Sequence, residues 1–177
     1  MKLKISLWVA AQILLGLVQS QTTSATPQDQ GSGQLFVCNV GYTPEKCHKQ
    51  IAILRKALAK YPVERLGNWT WVLVRSVDWR DILVQRGLSP DSPAFTYLPM
   101  RETFIEEALV VPVPVRGVNL LNMWQMSTSN LLDFAIAHEL GHAFCNDRDE
   151  DKARRVARML QEGLAISCEA RRSAKAD

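Results

Sequence analysis

The sequence is short of the residues that usually mark a metal site or a disulfide scaffold: 177 residues hold three histidines and four cysteines. Four cysteines are too few for a disulfide-dense miniprotein. No pair is spaced C-x-x-C, so cysteine ligation of a metal is not expected. Charge of one sign is scarce as well: 21 Lys and Arg against 18 Asp and Glu leave +3. With no basic stripe, nucleic acid is not an expected partner. There is no internal repeat, and only the first twenty residues hold a long apolar run. The length suits one domain, and the ordinary composition excludes a disordered or collagen-like chain.

That first run has three parts. Met1, Lys2 and Lys4 give a positive start, residues 5–18 form an apolar run broken only by Ser6, Gln12 and Gly16, and Val18 and Ser20 stand at minus three and minus one before Gln21. This predicts a cleavable signal peptide over residues 1–20, because a membrane span needs about 20 apolar residues. The product is expected to be secreted or periplasmic, with no stable membrane association after cleavage. Residues 21–34 are rich in Gln, Thr, Ser and Gly and read as a disordered lead-in, leaving 35–177 for the fold. Export places Cys38, Cys47, Cys145 and Cys168 in an oxidising space, where an even count favours two bridges. Three pairings are open, and the local ones, Cys38–Cys47 and Cys145–Cys168, are the simplest. Asn68-Trp69-Thr70 spells a glycosylation sequon, but it falls in a predicted buried strand and carries no weight.

Apolar periodicity predicts an α+β domain. Thr43-Pro44 caps and starts a helix, and Cys47, Ile51, Leu54 and Leu58 carry it to about Lys60. Residues 68–75 read as a buried strand and 78–85 as a short helix stopped at Gly87. Residues 94–98 and 103–111 read as two more strands, giving a sheet of three strands or more. The end of the second is expected to be an edge or an exit, since Pro112 and Pro114 cannot donate to a ladder. Leu120, Leu121, Met123, Trp124 and Met126 read as core ahead of a substrate pocket.

The chemistry lies further on. Ser127, Thr128 or Ser129 caps a helix running through Cys145, and it carries His138-Glu139-Leu140-Gly141-His142. Histidines four apart leave one helix face a turn apart, so both imidazoles reach one tetrahedral ion at about 2.0–2.1 Å. Glu139 is rotated by about 100°. It therefore reaches a water on that ion without having to ligate it. The flanks are apolar nearly all round, which predicts a buried helix. Two imidazoles and a carboxylate buried without partners cost several kcal/mol, roughly, and a metal removes that cost. Gly141 costs about 1 kcal/mol against alanine in mid-helix, which is explained if another backbone packs there.

A third ligand is needed, and His48 lies far upstream in the first helix. Downstream, Ala153, Ala157, Leu160 and Leu164 form the apolar stripe of a further helix. Three residues before Ala153 is Glu150, on the core side. Asp149 is intermediate and the reserve. Asp147 and Asp151 serve as helix-start charges.

These residues, His138-Glu139-Leu140-Gly141-His142 with Glu150 on the next helix, resemble the gluzincin branch of the zincin metallopeptidases. The resemblance implies a minimal zincin-like fold, one zinc ion on His138, His142 and Glu150, and Glu139 as general base. It implies a secreted zinc peptidase acting on peptides or proteins. Where that pattern has Asp or Asn, four residues after the ligand glutamate, this chain has Arg154, spaced to pair with Glu150 or to face water. Arg154 and Tyr97 are the further candidates for supporting a ligand or contacting substrate, Tyr97 as a carbonyl-oxygen stabiliser. The competing expectation is a secreted zinc-binding module without activity.

Overall fold

A computed structural model describes residues 33–111 and 114–169. The expected signal peptide, and the lead-in as far as residue 32, lie outside the described residues. The elements in chain order are β1 (Gln34–Cys38), α1 (Pro44–Leu58), β2 (Trp69–Val74), α2 (Ser76–Gln85), β3 (Ala94–Tyr97) and β4 (Glu102–Glu106). Then come α3 (Glu107–Val110), α4 (Pro114–Trp124), α5 (Thr128–Cys145) and α6 (Glu150–Gln161). The chain is thus α+β, as expected.

The four strands form one sheet in the order β1-β2-β4-β3. The first three run parallel, and β3 pairs antiparallel with β4 at the edge. Side chains alternate across β2. Trp69, Trp71 and Leu73 face α1 and α5 in the larger core, while Val72 and Val74 meet Trp79 and Leu83 of α2. A strand buried on both faces reads as a continuous apolar run, which is why 68–75 stood out. Helix α1 starts as its cap predicted, with Thr43 Oγ1 accepting from the Lys46 amide. Ser127 caps α5, accepting from the Asn130 amide. Both local disulfides are formed, Cys38–Cys47 and Cys145–Cys168, spanning 9 and 23 residues. They fit an extracellular protein. No described helix is long and apolar enough to cross a membrane.

Several expectations need correction. Gln34, placed at the end of the lead-in, opens β1 and is buried. Its carboxamide oxygen accepts from Trp71 Nε1 at 2.8 Å, and its nitrogen donates to the carbonyls of Val63 and Gly67. Nothing in a polar stretch reveals such a network. The strand expected over 103–111 stops at Glu106, and α3 takes over. There the Glu107 carboxylate turns inward to accept from Gln50 Nε2 at 3.0 Å, pairs with Lys46, and lies 3.4 Å from the Ser76 amide at the start of α2. Burial pushes this carboxyl up, but Lys46 and Gln50 outweigh it and hold the group below the ordinary carboxylate range. That strand is interior, between β2 and β3, and the sheet's edges are β1 and β3. Lastly, Asn68 of the sequon is exposed ahead of β2, and only Trp69 behind it is buried. The cluster read as core divides: Leu120 is fully buried, Leu121, Trp124 and Met126 pack against the core from its border, and Met123 is exposed.

Gln34→Leu leaves the Trp71 indole N–H and two carbonyls without partners, so it is expected to cost about 1–3 kcal/mol. Urea unfolding of the two proteins measures it; equal midpoints would mean that the network contributes nothing.

Candidate metal centre

Helix α5 runs through the core, and α6 crosses it closely. A methyl group added at Gly141 would sit 2.5 Å from the Ala153 carbonyl oxygen and 2.8 Å from its Cα. Only glycine lets the two backbones approach this far, which answers the cost of a mid-helix glycine. The contact lies one turn into α6. It brings Glu150, the first residue of that helix, over the face of α5 that carries the two histidines.

His138 Nε2 lies 3.0 Å from Glu150 Oε2, and His142 Nε2 lies 3.5 Å from Glu150 Oε1. One ligand atom from each of the three residues falls within 4.8 Å of the other two. This group can hold a metal ion. The orientation of His142 favours it. Its Nδ1 is 2.8 Å from the Asp147 carbonyl oxygen, which can only accept, so Nδ1 carries the proton and Nε2 presents a lone pair to the cluster. Burial and the neighbouring His142 hold the His138 imidazole below its ordinary range, against the attraction of Glu150. A neutral imidazole is the form that ligates.

The other candidates separate clearly. Asp149 caps α6, its side chain accepting from the Lys152 amide at 2.7 Å, and stays outside the cluster. Asp147 pairs with Lys152, and Asp151 pairs with Arg154 at 3.0 Å. Arg154 therefore leaves Glu150 unclaimed and lies in the wall of the cleft above it. Tyr97 borders the same cleft, but its ring lies under the Arg86 guanidinium at 4.8 Å, beside Phe95 on the far face of the sheet. That direction does not suit a carbonyl-oxygen stabiliser. His48 is exposed on α1.

Glu139 is buried, and its Oε2 has no partner among the described residues. Beneath it runs a hydrogen-bonded chain that the sequence reading missed. Trp69 Nε1 donates to Thr103 Oγ1 at 3.0 Å, the Thr103 and Thr96 hydroxyls are 3.0 Å apart, and Thr96 Oγ1 reaches the Glu139 carbonyl oxygen at 3.3 Å. An indole N–H only donates and a carbonyl only accepts, so the direction is set: each hydroxyl donates towards Glu139. The only signal in the sequence was alternation, which puts Thr96 opposite Phe95 and Tyr97, facing an apolar helix. Burial pushes the Glu139 carboxyl up to about 8, with the Thr96 hydroxyl pulling it down.

The cleft over the cluster has a volume of about 870 Å³ and is bounded by β3, α5 and α6. This is within the range of ligand sites, about 300–1,000 Å³. No protein-family model matches the chain, and no curated protein matches it.

Zinc is expected to raise the melting temperature of chelator-treated protein, and Glu150→Ala to abolish the rise. Asp149→Ala removes a helix cap worth about 1 kcal/mol and lowers the baseline, yet it keeps the zinc-dependent rise. Loss of the rise in Asp149→Ala alone would transfer the ligand role to Asp149.

Without metal, the folded state keeps the Glu139 proton that an unfolded chain releases near 4.5. Stability from this group is complete at low pH and is lost as pH rises from about 4.5 towards 8. Glu139→Gln should therefore gain on the native protein as pH rises through that window. Urea unfolding in chelator at both ends tests this, and a constant difference would contradict it.

Proposed function

We propose that this chain is a secreted zinc-dependent metallopeptidase of zincin type. The observation that carries the reading is the placement of a buried carboxylate with an unpartnered oxygen, Glu139, beside three convergent ligand atoms from His138, His142 and Glu150. Two imidazoles and one carboxylate are a donor set that suits zinc and leaves a fourth position open. A purely structural site usually closes all four positions and has no use for Glu139, which weighs against an inactive binding module.

His138, His142 and Glu150 would hold the ion. When bound, it supplies a water whose pKa falls towards about 7 and an electrophile for the carbonyl oxygen. Glu139 accepts a proton at its free oxygen during attack on the carbonyl and returns it to the leaving amine. Thr96, itself donating because of Trp69 and Thr103, holds the Glu139 backbone carbonyl. An extended substrate finds its partner in β3, an edge strand bordering the cleft, which offers backbone groups for pairing.

Glu139→Gln should keep zinc and lose hydrolysis of casein or a broad peptide library by at least about 100-fold, the scale of general base catalysis. Thr96→Val should lower kcat with zinc content unchanged, and Thr96→Ser should restore it. Zinc-loaded native protein that cleaves nothing in the library would turn the reading to the binding module.

A further inference from the structure

We infer that the cleft is built for a substrate carrying a carboxylate close to the scissile bond, held by Arg148 and Arg154. This rests on the peptidase reading and gives it a substrate class.

The cleft lining contributed by α5 and α6 is aromatic in one part and cationic in another. One turn before His138 stands Phe134, its ring 6.2 Å from the His138 ring and 5.7 Å from that of Trp124. This part of the lining is aromatic. Past His142 the chain turns into α6, and here Arg148 and Arg154 border the same cleft. A peptide lying across the histidines thus meets both aromatic rings and guanidinium groups.

The negative groups of the cleft do not neutralise these arginines. Glu150 belongs to the ligand cluster, and Glu139 is buried beneath it. Asp91 enters from the loop before β3, at the sheet edge. Arg154 uses Nη1 on Asp151, but both side chains are well exposed, at 61% and 87%. Such a pair is worth about 0–1 kcal/mol, so a substrate carboxylate displaces or shares it at little cost. The remaining guanidinium donors suit a planar, two-oxygen acceptor. Arg148 is exposed, and no described residue accepts from its guanidinium. Arg86 also borders the cleft but is committed elsewhere, stacked over Tyr97, Phe104 and Phe95. A bound divalent ion adds further positive charge and strengthens the preference.

An acidic side chain and a free C-terminal carboxylate offer the same group, and the test separates them. Zinc-loaded Glu139→Gln protein is titrated with alanine-based octapeptides in three forms. One is amide-capped with a central Glu, one amide-capped with a central Lys, and one neutral with a free C-terminal carboxylate. Calorimetry reads affinity without requiring turnover. One of the two carboxylate peptides should bind at least ten-fold more tightly than the Lys peptide, less so at high salt. The tighter of the two identifies the source. Adding Arg148→Ala and Arg154→Ala should remove the advantage. Both side chains are exposed, so the melting temperature should hold. Equal affinity for all three peptides, or an advantage that survives both substitutions, overturns the inference. The peptidase reading is judged separately, by turnover of the library with native protein.

Discussion

Everything at the site follows from the closeness of two helices. Gly141 and Ala153 are both minimal, and the backbones meet where any side chain at 141 would strike the Ala153 carbonyl. The crossing fixes the start of α6, so a residue eight positions past the second histidine comes back over both. A larger residue at 141 would part the helices and carry Glu150 away. The rest of the fold serves to hold α5 still: the sheet beneath it, α1 on the same side and the hub around Glu107 that joins α1 to α2.

The polar groups along α5 are each held in a definite state by neighbours of fixed polarity. The Asp147 carbonyl selects the tautomer of His142, and Trp69, through two threonines, makes Thr96 a donor towards Glu139. Neither device contains a charge. Buried hydrogen bonds of this kind set direction as well as strength, since one partner in each chain can play only one role.

Much of this was legible in the sequence for identifiable reasons. Histidines four apart with an apolar surround, a capped helix after Thr43 and the stripe from Ala153 to Leu160 are local patterns with local causes. Glu150 was found by phase along that stripe, and the local disulfides by proximity in the chain. What escaped depended on contacts distant in sequence. β1 was hidden because its first residue is polar and finds its partners around residues 63–71. The end of β4 was hidden because Glu107 finds Lys46 and Gln50 some sixty residues earlier. The edge position of β3 was hidden because proline near the end of the following strand says that pairing stops, not which neighbour lies beyond.

The disulfide Cys145–Cys168 closes a covalent ring that begins at the last residue of the histidine helix. Glu150, Arg148, Arg154 and the whole of α6 lie inside it. A backbone cut anywhere in that ring leaves both new ends attached to the body of the protein. The most exposed part of the candidate metal centre is thereby the part that one nick cannot carry off.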